Sequence, residues 1–413
     1  MRDAYTYLII GGGVAGVTAA ETIRLRDSKG TIAIISSEPH PLYSRVTLPR
    51  FVRGEIGRDK VFLRSLEAYA EKNIDFIPLA RASFLNVAKR ELGLVNQRIF
   101  GFEKLLVASG GESAPSNLDG YAEYVYRLQT IDDADRLREA LHKSSFKSPA
   151  ILGGSFMAFE FLSIAAHFGL KGRVITRGEH FFPHMVGSQG GDFLRRIIFQ
   201  NGFEIVSEDE VVDAAEGKGF LRVTTKRLSE YDHDALFLGI GLKRNIDFLA
   251  GSGIETATGV KTNEFLETSV PSVYAAGDVA EFFDPVFGHE RIIGNWTNSF
   301  LQGKLAGLNM TGERLALRVV SAYSTTHFGL ALTALGECRN FDASVERADA
   351  RKNTYIRYFF KNGVLVGAFL INRNDIRAHA SALIESKTPL GEFAGRLKEP
   401  SFDISEIPIV KST

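Results

Sequence analysis

The sequence predicts an α/β protein: two nucleotide-binding units of similar plan, followed by a smaller α+β region. Three observations lead there. A β-prone run, Tyr5–Ile10, opens into the glycine-rich stretch LIIGGGVAG, Leu8 to Gly16. A second apolar run, Ala150–Leu152, opens into ILGGSFMAFE, Ile151 to Glu160, which repeats the plan with two glycines replaced. The region from 321 to 413 changes character and carries aromatic strand patterns such as YIRYFF, Tyr355–Phe360.

In the first unit Tyr5–Ile10 reads as a strand, Val14 to about Asp27 as a helix, and Thr31–Ser36 as the next strand. That is a βαβ unit. Gly11 permits the tight turn, Gly13 lets backbone approach a pyrophosphate, and Gly16 lets the helix lie close to the strand. The helix N-terminus faces the phosphates with free N–H groups and the positive end of its dipole. Glu38, just after the second strand, is placed to accept from a ribose hydroxyl. The second unit repeats this as a helix Phe156–Phe168 stopped by Gly169 and a strand Arg173–Thr176. Further strands read at Lys104–Ala108, Leu236–Leu238 and Val273–Ala275. In the last region a strand, a turn at Asn362–Gly363 and the strand Val364–Ile371 form a hairpin over a meander, with a terminal helix near Asp375–Glu385.

The chain has 413 residues, 45% hydrophobic and 24% charged, which suits two or three ordinary domains with ample core. Basic and acidic residues balance at 49 each, so charge gives no reason to expect nucleic acid or an anionic membrane as partner. The lone cysteine, Cys338, can build no disulfide framework, CxxC metal site or cysteine-held cluster, and it fits a reducing compartment. Tyr5–Ala20 is uncharged, but its glycines have nucleotide-turn spacing and no cleavage site follows, so it reads as fold and not as a secretory signal. No run reaches the roughly 20 apolar residues of a membrane span. The expectation is a soluble, cytoplasmic protein. His180 and His184 have helical metal-ligand spacing, but Pro183 lies between them and no third ligand is evident, so no metal is expected. His289, His327 and His379 stand singly and read as structural or exposed, with His327 the most open to a functional role.

At this point the sequence resembles a known family. LIIGGGVAG, Ser36–Glu55, LLVASGG (Leu105–Gly111), VYAAGDVA (Val273–Ala280) and NWTNSFLQGKLAGLNMTG (Asn295–Gly312) occur in the order of the FAD-dependent pyridine-nucleotide oxidoreductases, nearest the ferredoxin, rubredoxin and nitrite reductase branch. The resemblance implies two three-layer (ββα) Rossmann-like dinucleotide-binding domains plus a C-terminal α+β domain. Residues 1–116 with 246–320 would bind FAD, 117–245 would bind NAD(P)H, and 321–413 would form the C-terminal interface domain. Gly11, Gly13, Gly16 and Glu38 would hold the ADP half of FAD, and Arg45 would reach its phosphates or flavin. Ala108, Ser109 and Gly110 match the second FAD turn. Asp278 would bond the ribityl chain or its phosphate, and Trp296 would lie beside the isoalloxazine. Arg50 stands where this branch has a lysine near the reactive flavin edge; it keeps the charge but changes the geometry.

In the second unit Gly153 holds the turn position, Ser155 replaces the glycine of closest phosphate approach, and Ala158 replaces the packing glycine, an accepted variant. Ser155 costs backbone access, yet its hydroxyl can donate to a phosphate oxygen. Glu160 matches the family's glutamate near the nicotinamide, though an ordinary first-turn helix acid fits the same spot. Gly239 and Gly241 sit in the turn that closes this domain. After the second strand an NADH site usually offers an acid; here Thr176 and Arg177 follow, with Lys171, Arg173 and His180 nearby, which favours NADPH over NADH.

The family's disulfide reductases pass flavin electrons to cysteines on the FAD domain, and residues 1–337 contain none. The expectation is an FAD-dependent NAD(P)H oxidoreductase that hands electrons to a small redox protein of the ferredoxin or rubredoxin type, as monomer or homodimer. The alternatives are an NAD(P)H oxidase that reduces oxygen directly, or a flavin-binding subunit of a larger complex with a degenerate nicotinamide site.

Overall fold

The computed structural model describes residues 3–143, 146–391, 393–399 and 401–410. The chain divides into two compact units. The first comprises residues 1–47, 56–112 and 242–319; the second comprises 48–55, 113–241 and 320–413.

The first unit is built on a sheet whose core strands are β1 (Ala4–Ile10), β2 (Ile32–Ile35), β3 (Ile74–Ile77) and the later strand Ile99–Val107, in the order β3, β2, β1, Ile99–Val107. These run parallel, and Val273–Ala275 joins parallel to the end of Ile99–Val107. Parallel sheets are covered on both faces, so their strands read as unbroken apolar runs. Ile9 and Leu106 face a helical layer that supplies Val17, Ala20, Ala306 and Met310. Leu8, Ile10, Leu105 and Val107 face a layer that supplies Leu85, Leu92, Val260 and Val279. The helical layer is α1 (Val14–Arg26) with the helix Trp296–Met310. Gly303 and Gly307 let these two helices meet closely: a Cβ on Gly303 would lie 2.2 Å from the Ala15 carbonyl oxygen, and one on Gly307 would lie 2.8 Å from that of Ala19.

The second unit contains a sheet of Phe203–Ser207, Gly172–Thr176, Pro149–Leu152, Ala235–Leu238 and Val125–Tyr126, in that order and all parallel. One face carries the helix Phe156–His167, where Phe161 stacks on Phe237 with centroids 5.6 Å apart. The other face carries an antiparallel sheet of Val211–Glu216, Leu221–Thr225 and Glu230–His233, which packs Leu221 and Val223 on Ala150, Leu152 and Leu236. The fold is therefore the expected α/β one, with helix, parallel sheet and β layers. This unit also includes a five-stranded antiparallel sheet, ordered Ala322–His327, Leu330–Gly336, Val364–Ile371, Thr354–Lys361, Ala343–Asp349. Its central hairpin turns at Asn362 and Gly363, both with positive φ (50° and 74°), the geometry favoured by right-twisted hairpins. The strand order is that of an interleaved sheet and not a simple meander. The terminal helix runs Arg377–Ser386.

Candidate nucleotide-binding sites

The first site is the turn from β1 into α1. Gly11 has φ +121°, and a Cβ there would lie 2.1 Å from the Ala108 carbonyl oxygen, so only glycine fits. Gly16 lies under the turn, its hypothetical Cβ 2.1 Å from the Gly11 oxygen. Gly13 differs from both. A Cβ there would meet nothing within 4 Å, so it borders open space at the helix N-terminus. No side chain caps α1, and no acid lies in its first turn. Its end N–H groups are thus left for an external anion, which fits a pyrophosphate. Ala108, buried, ends the strand Ile99–Val107. Ser109 is strutted against Asn245: its Oγ donates to the Asn245 carbonyl at 2.7 Å, and Asn245 Nδ2 donates back to the Ser109 carbonyl at 3.1 Å. Gly110 has φ +59° and open space beside it.

Three further residues gather acids and bases in this unit. Glu38 accepts from Tyr43 Oη at 2.6 Å and pairs with Arg45. Asp278 follows Gly277 (φ +83°) and accepts from Ser299 Oγ at 2.9 Å. Burial pushes the Asp278 carboxyl above its ordinary range, against the opposing pull of Ser299, Arg244 and Arg45. Arg244 donates from Nε to the Asp278 carbonyl at 3.4 Å. The Gly277 N–H donates to the buried Gln302 Oε1 at 2.7 Å, while Gln302 Nε2 has no partner among the described residues. Trp296 begins the helix after its Asn295 cap and packs, partly buried, on the core beside α1. Sequence reasoning missed Tyr43, Arg244, Ser299 and Gln302. Only Ser299 and Gln302 left a signal, one helical turn apart and on the face toward the Gly277 turn.

The second site repeats the first contact by contact. Gly153 has φ +124°, and its Cβ would lie 2.3 Å from the Gly239 carbonyl oxygen, as that of Gly11 would from Ala108. Gly154 faces Thr176 as Gly12 faces Ser36. Ser155 caps its helix in extended backbone, as Gly13 does, again with no side-chain cap bond and no first-turn acid. The Ser155 hydroxyl donates to the Gly239 carbonyl at 3.2 Å. Ala158 occupies the place of Gly16, and here the missing Cβ moves to the partner. Gly239 stands where the first unit has Ala108, and a Cβ on it would lie 2.7 Å from the Ala158 nitrogen. By position, Gly16 and Ala108 of the first site correspond to Ala158 and Gly239 of the second. Gly241 has φ +101°, and its carbonyl accepts from the Ala114 N–H.

The superposition of roles also locates what the second site lacks. The Glu38 N–H donates to Ser36 Oγ, and the Gly178 N–H donates to Thr176 Oγ1, so Gly178 stands where the first site has its acid. Arg177 is exposed, and no carboxylate pairs with it among the described residues. Glu160 lies beyond the first helical turn, so it is not a first-turn acid. His180 and His184 lie in a loop, not on a helix. Among the described residues no cluster of three or more candidate ligands could hold a metal, and no helix is long and apolar enough to cross a membrane. Arg50 is about half exposed and pairs through Nε with Glu55 at 3.1 Å; Arg53 holds the other oxygen of that acid.

Residues 5–303 match the family described as pyridine nucleotide-disulphide oxidoreductase. The chain is 26% identical over 375 residues to the NADH-dependent phenylglyoxylate dehydrogenase subunit epsilon of Aromatoleum evansii, covering 89% of this chain and 88% of that one. It is 27% identical over 369 residues to the 3-phenylpropionate/cinnamic acid dioxygenase ferredoxin–NAD(+) reductase component of Photorhabdus laumondii, covering 89% and 93%. Its fold superposes on the reductase structure titled as a covalent putidaredoxin reductase–putidaredoxin complex with a TM-score of 0.89, at 19% identity and 98% coverage of both chains. With the two cradles, these likenesses place the chain in the pyridine nucleotide-disulphide oxidoreductase family, as an NAD(P)H-dependent flavoprotein oxidoreductase.

Proposed function

We propose that this protein takes electrons from NADPH and delivers them, by way of FAD, to a small one-electron carrier protein of the ferredoxin or rubredoxin type. The observation that carries the reading is the fate of sulfur in the chain. Residues 1–337 hold no cysteine, and Cys338 is buried with its thiol directed at the carbonyls of Leu335 and Ala368. No thiol relay stands between flavin and acceptor, so electrons leave the flavin directly. The relatives named as ferredoxin–NAD(+) reductase components support a protein acceptor.

The residues are assigned as follows. Gly11, Gly13 and Gly16 seat the FAD pyrophosphate on the N-terminus of α1, with Glu38 on the ribose and Arg45 at the phosphates. Ala108, Ser109 and Gly110 form the second FAD turn, and Asp278 bonds the ribityl side. Trp296 excludes water beside the ring, and Arg50 supplies positive charge that favours its reduced form. Gly153, Ser155 and Gly241 seat the nicotinamide dinucleotide, and Glu160 orients the carboxamide. When bound, FAD accepts a hydride and releases electrons singly, which is the chemistry the protein itself lacks. The preference for NADPH rests on Gly178 replacing the ribose acid and on the exposed Arg177, which pairs with no carboxylate among the described residues and whose guanidinium suits a 2′-phosphate.

The test is anaerobic stopped-flow on the flavin-loaded protein. Rapid bleaching by NADPH, slower bleaching by NADH, and fast reoxidation by ferredoxin or rubredoxin are expected. Rapid reoxidation by air with no gain from any carrier would establish the oxidase alternative. Failure of both nucleotides to bleach the flavin would leave the subunit of a larger complex. Arg177→Ala should erase the NADPH preference; a faster rate with NADH in the unaltered protein would remove that part of the proposal.

A further inference from the structure

We propose that His327 and Thr325 are positioning residues for the reductive half of the reaction: they hold Glu160 by one carboxylate oxygen and leave the other for the nicotinamide carboxamide. The inference rests on the placement of Glu160 proposed above. The strand Ala322–His327 packs along the helix Phe156–His167, both within the second unit. Tyr323, Thr325 and His327 alternate along that strand and so share one face. They meet Phe156, Phe159 and Glu160, which share one face of the helix. The Phe156 and Tyr323 rings lie 4.4 Å apart, and Phe159 meets His327 edge-on at 5.6 Å. Between these aromatic contacts sits a polar knot. Thr325 Oγ1 donates to Glu160 Oε1 at 3.0 Å. His327 Nε2 lies 3.0 Å from the same oxygen and 2.7 Å from Thr325 Oγ1. Glu160 Oε2 takes no hydrogen bond among the described residues.

Chemistry fixes the direction of these bonds. The single hydroxyl hydrogen of Thr325 goes to Oε1, so Oγ1 accepts from His327 Nε2, which carries the ring hydrogen. His327 is only 3% exposed, and its Nδ1 is buried with no partner. The ring therefore has a single polar contact atom, Nε2, and it is directed at the Thr325–Glu160 pair. The terminal torsion of a glutamate is otherwise a broad, two-fold rotor. The Thr325 hydroxyl on Oε1, itself held by His327 Nε2, stops it. Orientation of this kind matters because a misplacement of about 1 Å can cost on the order of a hundredfold in rate.

The experiment uses the full-length, FAD-loaded protein in anaerobic stopped-flow with NADPH and NADH. His327→Leu should slow flavin reduction at saturating nucleotide by about ten- to a hundredfold. Reoxidation of dithionite-reduced protein by ferricyanide should not change. His327→Gln, which can place a donor near the same point, should recover most of the rate. Thr325→Val should cost several-fold, and Glu160→Gln should be as slow as His327→Leu, with the double variant no slower. If His327→Leu and Thr325→Val reduce at the normal rate while Glu160→Gln is slow, the positioning role is overturned and the placement of Glu160 stands. If Glu160→Gln is itself normal, the placement fails first. Should His327→Leu lose its flavin, His327→Gln and Thr325→Val decide against the same Glu160→Gln benchmark, and equal melting losses without a rate difference overturn the proposal.

Discussion

At the scale of the residue, glycines of one motif do different work, and mutation should separate them. A side chain at Gly11 would meet backbone at 2.1 Å and sit at φ +121°. Gly11→Ala is expected to cost about 3 kcal/mol or more and to yield protein with lowered melting temperature and little flavin. Gly13→Ala meets open space, so it should fold normally and lose flavin affinity alone, by about tenfold or more. Calorimetry and flavin titration on both variants check this; parallel behaviour would show that Gly13 borders no ligand. Asp278 gives a second test. Burial raises its folded-state pKa above the unfolded value. A raised carboxyl adds stability below the ordinary pKa of about 3.9 and loses it as pH rises through the folded value. The flavin-free protein should therefore lose melting temperature as pH rises above the usual carboxylate range, whereas Asp278→Asn should not. Superimposable curves for the two would refute the assignment. Gly11, Gly13 and Asp278 were all visible in the sequence. Tyr43, which donates to Glu38, was not, because a tyrosine five residues past an acid has no periodic signature until the loop between them is folded.

Individual elements were legible where backbone chemistry is local. The α1 and Phe156–His167 helices, the Gly169 stop (φ +70°) and the Asn362–Gly363 turn follow from glycine placement and apolar runs. The three-stranded sheet Val211–His233 and the interleaved order of the C-terminal strands did not, because their pairing is set by distant partners. The Ala158–Gly239 exchange lay in between. Each residue could be read, but their compensation spans 81 positions (239 − 158) and needs the strand Ala235–Leu238 beside the turn. That compensation has a measurable coupling. Gly239→Ala places a Cβ 2.7 Å from backbone and should cost about 2–3 kcal/mol. Removing the Ala158 methyl lets the helix slide toward the Gly153 turn, as α1 lies against Gly11. The double variant Ala158→Gly, Gly239→Ala should then regain over half of that loss. Additive melting losses in denaturant titrations would show that the two contacts are independent.

For the whole molecule, two cradles of one design carry opposite endowments. The first has a carboxylate, Glu38, already engaged by Tyr43 and Arg45; the second has Gly178 in its place and an exposed Arg177 beside it. The two frames thus differ by a few side chains at strand ends, while core apolar runs stay alike. This is why fold and family were readable from motifs in order, and why the acceptor was not: an acceptor is recognised by surface shape, which no motif spells. What the sequence does constrain is the exit of electrons, and Cys338 provides the test. Its sulfur lies 3.6 Å and 3.8 Å from the Leu335 and Ala368 carbonyl oxygens, in the core of the C-terminal sheet. Cys338→Ser replaces a weak donor by a stronger one at nearly the same place, so its stability cost should stay within about 1 kcal/mol. If electrons leave the flavin without a thiol, this variant must keep the full rate of NAD(P)H-dependent reduction of a ferredoxin or rubredoxin, and alkylation of the native protein must not inhibit it. Loss of carrier reduction at unchanged melting temperature and unchanged flavin bleaching would mean that the thiol carries electrons after all, and the direct-exit reading would fall.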